Sequence, residues 1–162
     1  MTNRFLKSVL YLILFFTSSA SLADMAVAVI DESKLPYEFS PSNYENSPSN
    51  YDNSISNYDN SASNYDNSES NYENSSSNYD NSSNGKRRLI DSNTFVGYHV
   101  TADNGTTNFF SPSGKRMFYN PKKGRGVFGG KDGTFCGVVA VIDGKLQLVL
   151  TENGVKILLL NN

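Results

Sequence analysis

The sequence predicts an all-β protein: a small antiparallel meander of about seven short strands, barrel-like or built of stacked hairpins, preceded by a disordered repeat region. Two observations predict the meander. Glycines recur about every ten residues from Gly105 to Gly154, and short runs rich in β-branched and aromatic residues lie between them. A third observation predicts the disordered region, because residues 41–82 repeat one polar seven-residue unit six times.

Residues 1–23 form a predicted secretory signal peptide. Arg4 and Lys7 supply its positive end, residues 9–16 supply its apolar centre, and small residues occupy the cleavage site. The apolar run is shorter than the roughly 20 residues that a membrane-spanning helix needs. The one cysteine, Cys136, excludes a lipid anchor at the cleavage site and, because small secreted eukaryotic domains usually rely on several disulfides, indicates a bacterial source. We therefore predict an exported protein, periplasmic or secreted to the cell surface, with no permanent membrane span after cleavage.

Residues 24–40 form a leader of mixed polar and apolar composition. Its apolar patch, residues 25–30, could be a strand that docks on the folded domain or on a partner. It could equally be a disordered segment beside the cleavage site. We favour the disordered segment, because chain ends are rarely ordered unless something ties them down.

Residues 41–85 are predicted to be a disordered acidic tether. Their units read PSNYENS, PSNYDNS, ISNYDNS, ASNYDNS, ESNYENS and SSNYDNS. A coiled coil needs two apolar positions per heptad, and Ser, Asn and Asp compete with helix by bonding nearby backbone groups. The first position varies widely, so we expect it to face solvent. The constant Asn-Tyr-(Asp/Glu)-Asn-Ser reflects either recent duplication, which we favour, or a repeated, weak and multivalent tyrosine contact.

Residues 86–162 are predicted to form a small basic β domain. Its strands are expected at residues 95–101, 106–110, 115–119, 125–128, 134–142, 145–151 and 155–160. Asp143-Gly144 and Asn153-Gly154 have the composition of tight hairpin turns. Apolar pairs such as Leu89-Ile90 and Phe109-Phe110 recur along the domain at similar intervals. This fainter repeat indicates either stacked hairpin units or ordinary β alternation.

Charge is distributed unevenly along the chain. Residues 24–85 carry eleven acidic residues and one lysine, a net charge of −10, whereas residues 86–162 carry eleven basic and five acidic residues, a net charge of +6. Arg4 and Lys7 add +2, which returns the total of −2. An acidic arm joined to a basic domain suggests a polyanionic partner or an acidic protein. We also expect that the arm can fold back over the basic domain and compete with such a partner.

A basic face is the predicted ligand-binding site. It lies on the middle turns of the meander near Phe118, Tyr119 and Phe128, and its residues are Lys115, Arg116, Lys122, Lys123, Arg125 and Lys131. Basic side chains beside exposed aromatic rings can hold phosphates or sugars. A solvated basic face whose aromatic residues point inward is the interpretation that we favour.

The sequence predicts neither catalysis nor a cofactor. His99 and Cys136 are each unique, so a catalytic Cys–His pair is conceivable, but both lie within predicted strands and a free cysteine is usually a small buried hydrophobe. An exposed Cys136 would instead suggest an intermolecular disulfide. The heptads lack the sharp glycine turn of a calcium loop, and zinc-type Cys/His spacing is missing, so no metal site is predicted.

Heptads at residues 41–82, followed by FVGYHV at 95–100 and NFF at 108–110, resemble the pattern of a loose group of small exported bacterial proteins of unknown function. The resemblance covers under half of the chain and implies no activity. We predict an exported, non-enzymatic binding or interaction protein. Its expected partner is an anionic cell-envelope component or an acidic protein, without specific nucleic-acid recognition. The alternatives are a self-associating surface assembly protein and a small secreted hydrolase or effector.

Overall fold

The structure, a computed structural model, describes residues 24–162. In that part of the chain eight strands close into one β-barrel, in which each strand neighbours the next along the chain and β8 neighbours β1. The strands are β1 (Met25–Val29), β2 (Arg88–Asp91), β3 (Thr94–Thr101), β4 (Thr107–Phe110), β5 (Arg116–Asn120), β6 (Gly126–Gly129), β7 (Phe135–Ile142) and β8 (Lys145–Leu150), and the helix α1 (Glu152–Leu160) follows. The predicted all-β fold is confirmed as a closed barrel. The predicted signal peptide, residues 1–23, lies outside the described residues.

Strands β2 to β8 form an antiparallel meander. The sequence-predicted strands coincide with β3 to β8 to within one residue at each end, whereas β2 was not predicted. Asp143 and Gly144 join β7 to β8 with φ angles of 51° and 75°. Positive φ at both central residues matches the twist of a two-residue hairpin, as the Asp-Gly sequence predicts.

Strand β1 closes the barrel. It pairs in parallel with β2 on one side and with β8 on the other, and the Met25 side chain is only 3% exposed. Residues 25–30 therefore differ from the disordered segment that we favoured from the sequence. The physical reason is that β1 satisfies the backbone groups of two strand edges that would otherwise stay open.

The predicted strand over residues 155–160 is instead part of α1. With β1 already paired to β8, no strand edge remains for a further strand among the described residues. The helix lies against β7 and β8, where Leu158 joins the interior cluster and is 5% exposed, while Leu159 is 70% exposed. Glu152 and Lys156 form an i,i+4 ion pair at 2.9 Å, a helical signal that the strand-like alternation of apolar residues obscured.

One apolar cluster that draws on every strand and on α1 fills the barrel. Its buried members are Met25, Leu89, Val96, Phe109, Met117, Phe118, Val127, Cys136, Leu148, Leu150 and Leu158. Three hairpins carry a β-bulge at the apolar pairs Leu89-Ile90, Phe109-Phe110 and Val127-Phe128, and the extra residues opposite are Val96, Met117 and Cys136. The recurring apolar pairs therefore mark repeated bulged hairpins.

Two of these bulges adjoin a glycine that no other residue could replace. Gly97 and Gly137 have φ angles of 148° and 150°, and a Cβ added at either would lie 2.1 or 2.0 Å from a carbonyl oxygen of the following strand. Neighbouring strands approach most closely at these points, so only a residue without a side chain fits.

Residues 41–82 form a regular hydrogen-bonded coil, the heptad coil, rather than the predicted disordered tether. Two tight turns alternate in each heptad. The Ser47 Oγ accepts from the Ser49 N–H at 3.1 Å and the Asn50 Oδ1 accepts from the Asp52 N–H at 3.0 Å, while the Asn53 N–H donates to the Asn50 carbonyl at 2.9 Å. The local side-chain bonds that disfavour α-helix here cap one short turn after another.

The second asparagine of each heptad joins successive turns of the coil. These ladder asparagines are Asn46, Asn53, Asn60, Asn67, Asn74 and Asn81, and each is at most 2% exposed. The Asn53 Nδ2, for example, donates to the Glu45 carbonyl at 2.8 Å and to the Ser47 carbonyl at 2.9 Å, both in the preceding turn. Both amide hydrogens of each ladder asparagine are thus used to connect turns.

The coil crosses the outer face of the barrel from β6 to β2. The Tyr119 hydroxyl on β5 donates to the Asn53 carbonyl at 2.8 Å, and the Tyr98 hydroxyl on β3 donates to the Asn74 carbonyl at 2.6 Å. Between them the Asn108 Nδ2 on β4 donates to the Asn67 Oδ1 at 2.9 Å. The coil and the barrel therefore share a polar seam that is largely buried.

The variable heptad position faces solvent in four of the six heptads, as expected from the sequence, and Ile55 is a partly buried exception. Ile55 packs against the cluster that contains Tyr119 and Phe128. One carboxylate oxygen of Glu69 accepts from the Arg116 N–H at 2.7 Å. Most of the variable residues are therefore free of close packing, which allows this position to differ from heptad to heptad.

Both ends of the coil are capped. At its start, Tyr37–Phe39 forms a turn of the same kind, and the Asn46 Nδ2 donates to the carbonyls of Glu38 and Ser40. At its end, the Arg87 N–H donates to the Asp80 carbonyl at 3.1 Å. Caps of this kind satisfy terminal groups that would otherwise invite end-to-end association.

We predict that Asn53→Ala lowers the free energy of unfolding by about 1–3 kcal/mol, because two carbonyl groups lose their donor. Urea unfolding followed by circular dichroism measures the loss. The control is Ser49→Ala in the same heptad, since Ser49 is exposed and its side chain makes no hydrogen bond within residues 24–162. Equal stability of the two variants would show that the asparagine ladder does not stabilise the fold.

Candidate functional site

The constant tyrosines of the heptads form an exposed row along the coil, the tyrosine row. Each begins a tight turn that the preceding asparagine caps in the same way, so all six rings leave the backbone from equivalent positions. The row consists of Tyr44, Tyr51, Tyr58, Tyr65, Tyr72 and Tyr79, which are 61–69% exposed. The coil thus displays one tyrosine per turn.

An acidic residue follows every tyrosine of the row. The carboxylates of Glu45, Asp52, Asp59 and Asp66 make no hydrogen bond or ion pair to residues 24–162. In contrast, Glu73 pairs with Arg87 at 3.2 Å, and Asp80 pairs with Lys86 at 2.9 Å. The first four turns therefore present a free carboxylate beside each exposed ring.

Tyr37 extends the row by one turn at the start of the coil. It lies seven residues before Tyr44, is 70% exposed and is followed by Glu38. Residues 37–40 read Tyr-Glu-x-Ser, in the same seven-residue register as the heptads. Pro36 and Phe39 obscure this similarity, because they replace the two asparagines of the unit.

Two further tyrosines have a structural role. Tyr98 and Tyr119 are fully buried, and their hydroxyls donate to carbonyls of the coil. Burial raises the pKa of each hydroxyl above its usual range. Their hydroxyls hold the coil on the barrel, whereas the tyrosine row faces away from it.

Arg116 belongs to the predicted basic face, yet the coil buries it to 8% exposure. Its Nε donates to the Asn108 Oδ1 and its Nη2 to the Asn60 carbonyl, both at 2.8 Å, and the guanidinium lies 4.9 Å from the centre of the Tyr119 ring. Its Nη1 is buried without a hydrogen-bond partner among the described residues. Burial lowers the pKa of the guanidinium to about 10. Arg116 therefore fixes the seam.

The other predicted basic residues are exposed and divide into two groups. Lys115 and Lys131 line an open groove of about 490 Å³ together with Glu69. Lys122, Lys123 and Arg125 surround the β5–β6 turn, where Lys123 lines a cleft with Glu45 and Asp52 and the Arg125 guanidinium lies 4.9 Å from the centre of the Phe39 ring. The structure thus does not bring the six residues together as one face.

The aromatic residues near these basic side chains point away from solvent. Phe118, Tyr119 and Phe128 are all 0% exposed. Phe118 belongs to the barrel interior, and the other two pack under the coil. They are therefore not available for stacking on a ligand, in agreement with the interpretation that we favoured.

His99 and Cys136 do not form a catalytic pair. The Cys136 Sγ lies 3.3 Å from the Thr134 carbonyl, within the barrel interior, and burial raises the pKa of this thiol to about 11. The Nε2 of His99 has no partner among residues 24–162. The thiol is buried and free rather than exposed for an intermolecular disulfide.

Metal-binding clusters and membrane-spanning helices are both missing from residues 24–162. No group of three or more His, Cys, Asp or Glu residues in this range is placed to hold a metal ion. None of the helices in the same range has the length and apolarity needed to cross a membrane.

We predict that His99 makes the fold sensitive to acid. Burial first, and the nearby Arg87 second, lower the pKa of His99 from 6.5 to about 4, against an opposing contribution from Asp24. Between pH 6.5 and pH 4 the unfolded chain therefore binds a proton that the folded chain does not, so stability is constant above this window and falls as the pH drops through it.

The expected loss between pH 7 and pH 5 that is due to His99 is up to about 2 kcal/mol. Urea unfolding of the wild type and of His99→Gln at both pH values measures it, because the carboxylates contribute equally to both proteins. Identical losses in the two proteins would contradict the assignment to His99.

The chain matches no protein-family model, no curated protein and no solved structure. What the protein does therefore has to be inferred from the chemistry of its own surface.

Proposed function

We propose that the protein is an exported, non-enzymatic binding protein whose binding surface is the tyrosine row. The observation that carries this proposal is the sixfold repetition of one exposed tyrosine beside one acid, on turns that share the same hydrogen bonds. A folded protein normally buries most of such rings, because a tyrosine covers a large apolar area. A row of exposed rings at equal intervals is typical of a surface that meets a partner with its own repeat.

Rigidity favours this role. A flexible tether would have to order each tyrosine on binding, which costs conformational entropy for every ring. The ladder asparagines and the seam with the barrel hold the turns in place before binding. Each contact can then be weak, because further contacts become intramolecular once the first has formed. In this proposal the barrel serves as the support of the coil.

The alternatives receive less support from the described residues. Self-association could use the Tyr/Asn/Ser repeat or an open sheet edge, and the barrel within residues 24–162 is closed, so it offers no such edge. A hydrolase would need a nucleophile beside a base, and Cys136 and His99 do not contact each other.

A second candidate function is binding of an anionic cell-envelope component at the groove of Lys115 and Lys131. The observation that favours it is that both lysines line one open groove without forming an ion pair within residues 24–162. Glu69 of the coil lines the same groove and reduces its positive charge. Glu69 would therefore compete with an anionic partner for Lys115 and Lys131, as we expect of the acidic arm.

We expect the protein to lose affinity for purified bacterial cell envelopes as tyrosines are removed one at a time, first by Tyr51→Ser, then with Tyr58→Ser and finally with Tyr65→Ser added. Each step should lower the affinity by about fivefold, because each ring contributes about 1 kcal/mol. Cosedimentation measures the affinity. The matched control replaces the exposed serines of the same turns, in the triple variant S49A, S56A and S63A. Binding that is unchanged across the tyrosine series would reject the row as the binding surface.

For the groove, we expect the double variant K115Q and K131Q to elute from a heparin column at a lower salt concentration than the wild type. The variant loses attraction to heparin, and salt screens the remaining attraction sooner. Glu69→Gln should leave the column at higher salt. The control is the double variant K145Q and K156Q, which removes the same charge from exposed lysines elsewhere on the surface. Equal shifts in both double variants would show a non-specific charge effect.

A further inference from the structure

We propose that the tyrosine row binds a linear, uncharged polysaccharide laid along the heptad coil, with sugar rings stacked on the exposed tyrosines. This inference rests on the proposed function, because it names the class of ligand for the same surface. It depends on three properties of the row: the free faces of its rings, the regular repetition of the turns, and the carboxylates beside the rings.

The rings are free to stack. Within residues 24–162, close aromatic pairs involve only Tyr98, Phe110, Tyr119, Phe128 and Phe135, and none includes a tyrosine of the row. The two arginines that lie over aromatic rings in this range contact Tyr119 and Phe39. Each ring of the row therefore keeps an apolar face that can cover the C–H face of a sugar ring.

The regular repetition of the turns suits a polymer. The Asn53 Nδ2 bonds the carbonyls of Glu45 and Ser47, which flank the asparagine of the preceding heptad, and the other ladder asparagines repeat this arrangement. The exposed rings therefore recur regularly along the coil, as the sugar rings of a linear polymer do.

The carboxylates restrict the charge of the ligand. Glu45, Asp52, Asp59 and Asp66 are free to accept hydrogen bonds within the described residues, and sugar hydroxyls are donors for them. The same four charges repel phosphate, sulfate and uronate groups, as like charges across an interface disfavour wrong partners. The row therefore selects a neutral, hydroxyl-rich polymer and excludes the polyanions that the groove of Lys115 and Lys131 would attract.

The geometry also favours a polymer over a single sugar. One tyrosine and one carboxylate on an open surface cover little of a monosaccharide. Four such sites, and two further exposed rings, on one support convert later contacts into intramolecular ones, which raises the overall affinity by orders of magnitude. Free monosaccharide should therefore compete poorly.

Native affinity electrophoresis of the full chain in gels that contain hydroxyethyl cellulose, dextran or mannan tests this proposal, together with pull-down on cellulose and chitin powder. We expect retention by at least one of these polymers at both low and high concentrations of NaCl. The triple variant Y51A, Y58A and Y65A should lose at least tenfold in affinity. The triple variant Y51F, Y58F and Y65F should keep its affinity, since stacking does not need the hydroxyl, and S49A, S56A and S63A serve as the matched control.

Three results would overturn the proposal: retention by none of the polymers, retention that the tyrosine-to-alanine variant leaves unchanged, or retention that disappears at high salt. The last would show that charge, and not stacking of the rings, holds the protein on the polymer. Circular dichroism of every variant checks that the coil persists. Envelope binding that depends on the tyrosines, combined with no retention by any neutral polymer, would reject the polysaccharide and leave the proposed function standing.

Discussion

The rest of the structure depends on the hydrogen bonds that the side-chain amides of the ladder asparagines make. The two hydrogens of each amide connect its turn to the preceding one, and in Asn67 the remaining oxygen accepts from Asn108 of the barrel. The same residue thus joins turn to turn and coil to barrel. Aspartate could not replace it, because aspartate lacks the two donors. The uniform exposure of the tyrosine row follows from this one repeated contact.

The coil has no apolar core of its own, so it depends on the barrel for burial. Tyr98 and Tyr119 supply apolar rings below the coil and hydroxyls to its carbonyls, and Arg116 donates to Asn60 from the same face. In return the coil covers aromatic residues on the outside of the barrel that would otherwise be exposed to water. The two parts therefore pack together, although their compositions suggest two separate regions.

Much of the barrel could be predicted from sequence, because its signals are local. Turn glycines and β-rich runs located β3 to β8, and the recurring apolar pairs marked the bulged hairpins. For strand β1 the sequence allows a docking strand or a disordered segment, because the whole heptad array separates it in sequence from both of its partners, β2 and β8. Helix α1 was obscured by the alternation of Val155, Ile157 and Leu159.

The coil and the tyrosine row could not be predicted from the sequence for a different reason. Serine, asparagine and aspartate in series predict turns, but whether repeated turns stack depends on hydrogen bonds between heptads and on a surface that receives them. The sequence predicts one basic face, whereas the fold buries Arg116 in the seam and leaves the lysines in solvent.

Attachment to the barrel makes the number of heptads matter. Short tandem repeats in a gene readily gain or lose units, and an unattached tether would tolerate either change. Here individual heptads have their own contacts on the barrel: Ile55 lies over the aromatic cluster and Glu69 lies beside Arg116. An extra unit inserted between these two residues would place Glu69 one turn away from Arg116. A change in copy number therefore has a cost in lost contacts that an unattached tether would not have.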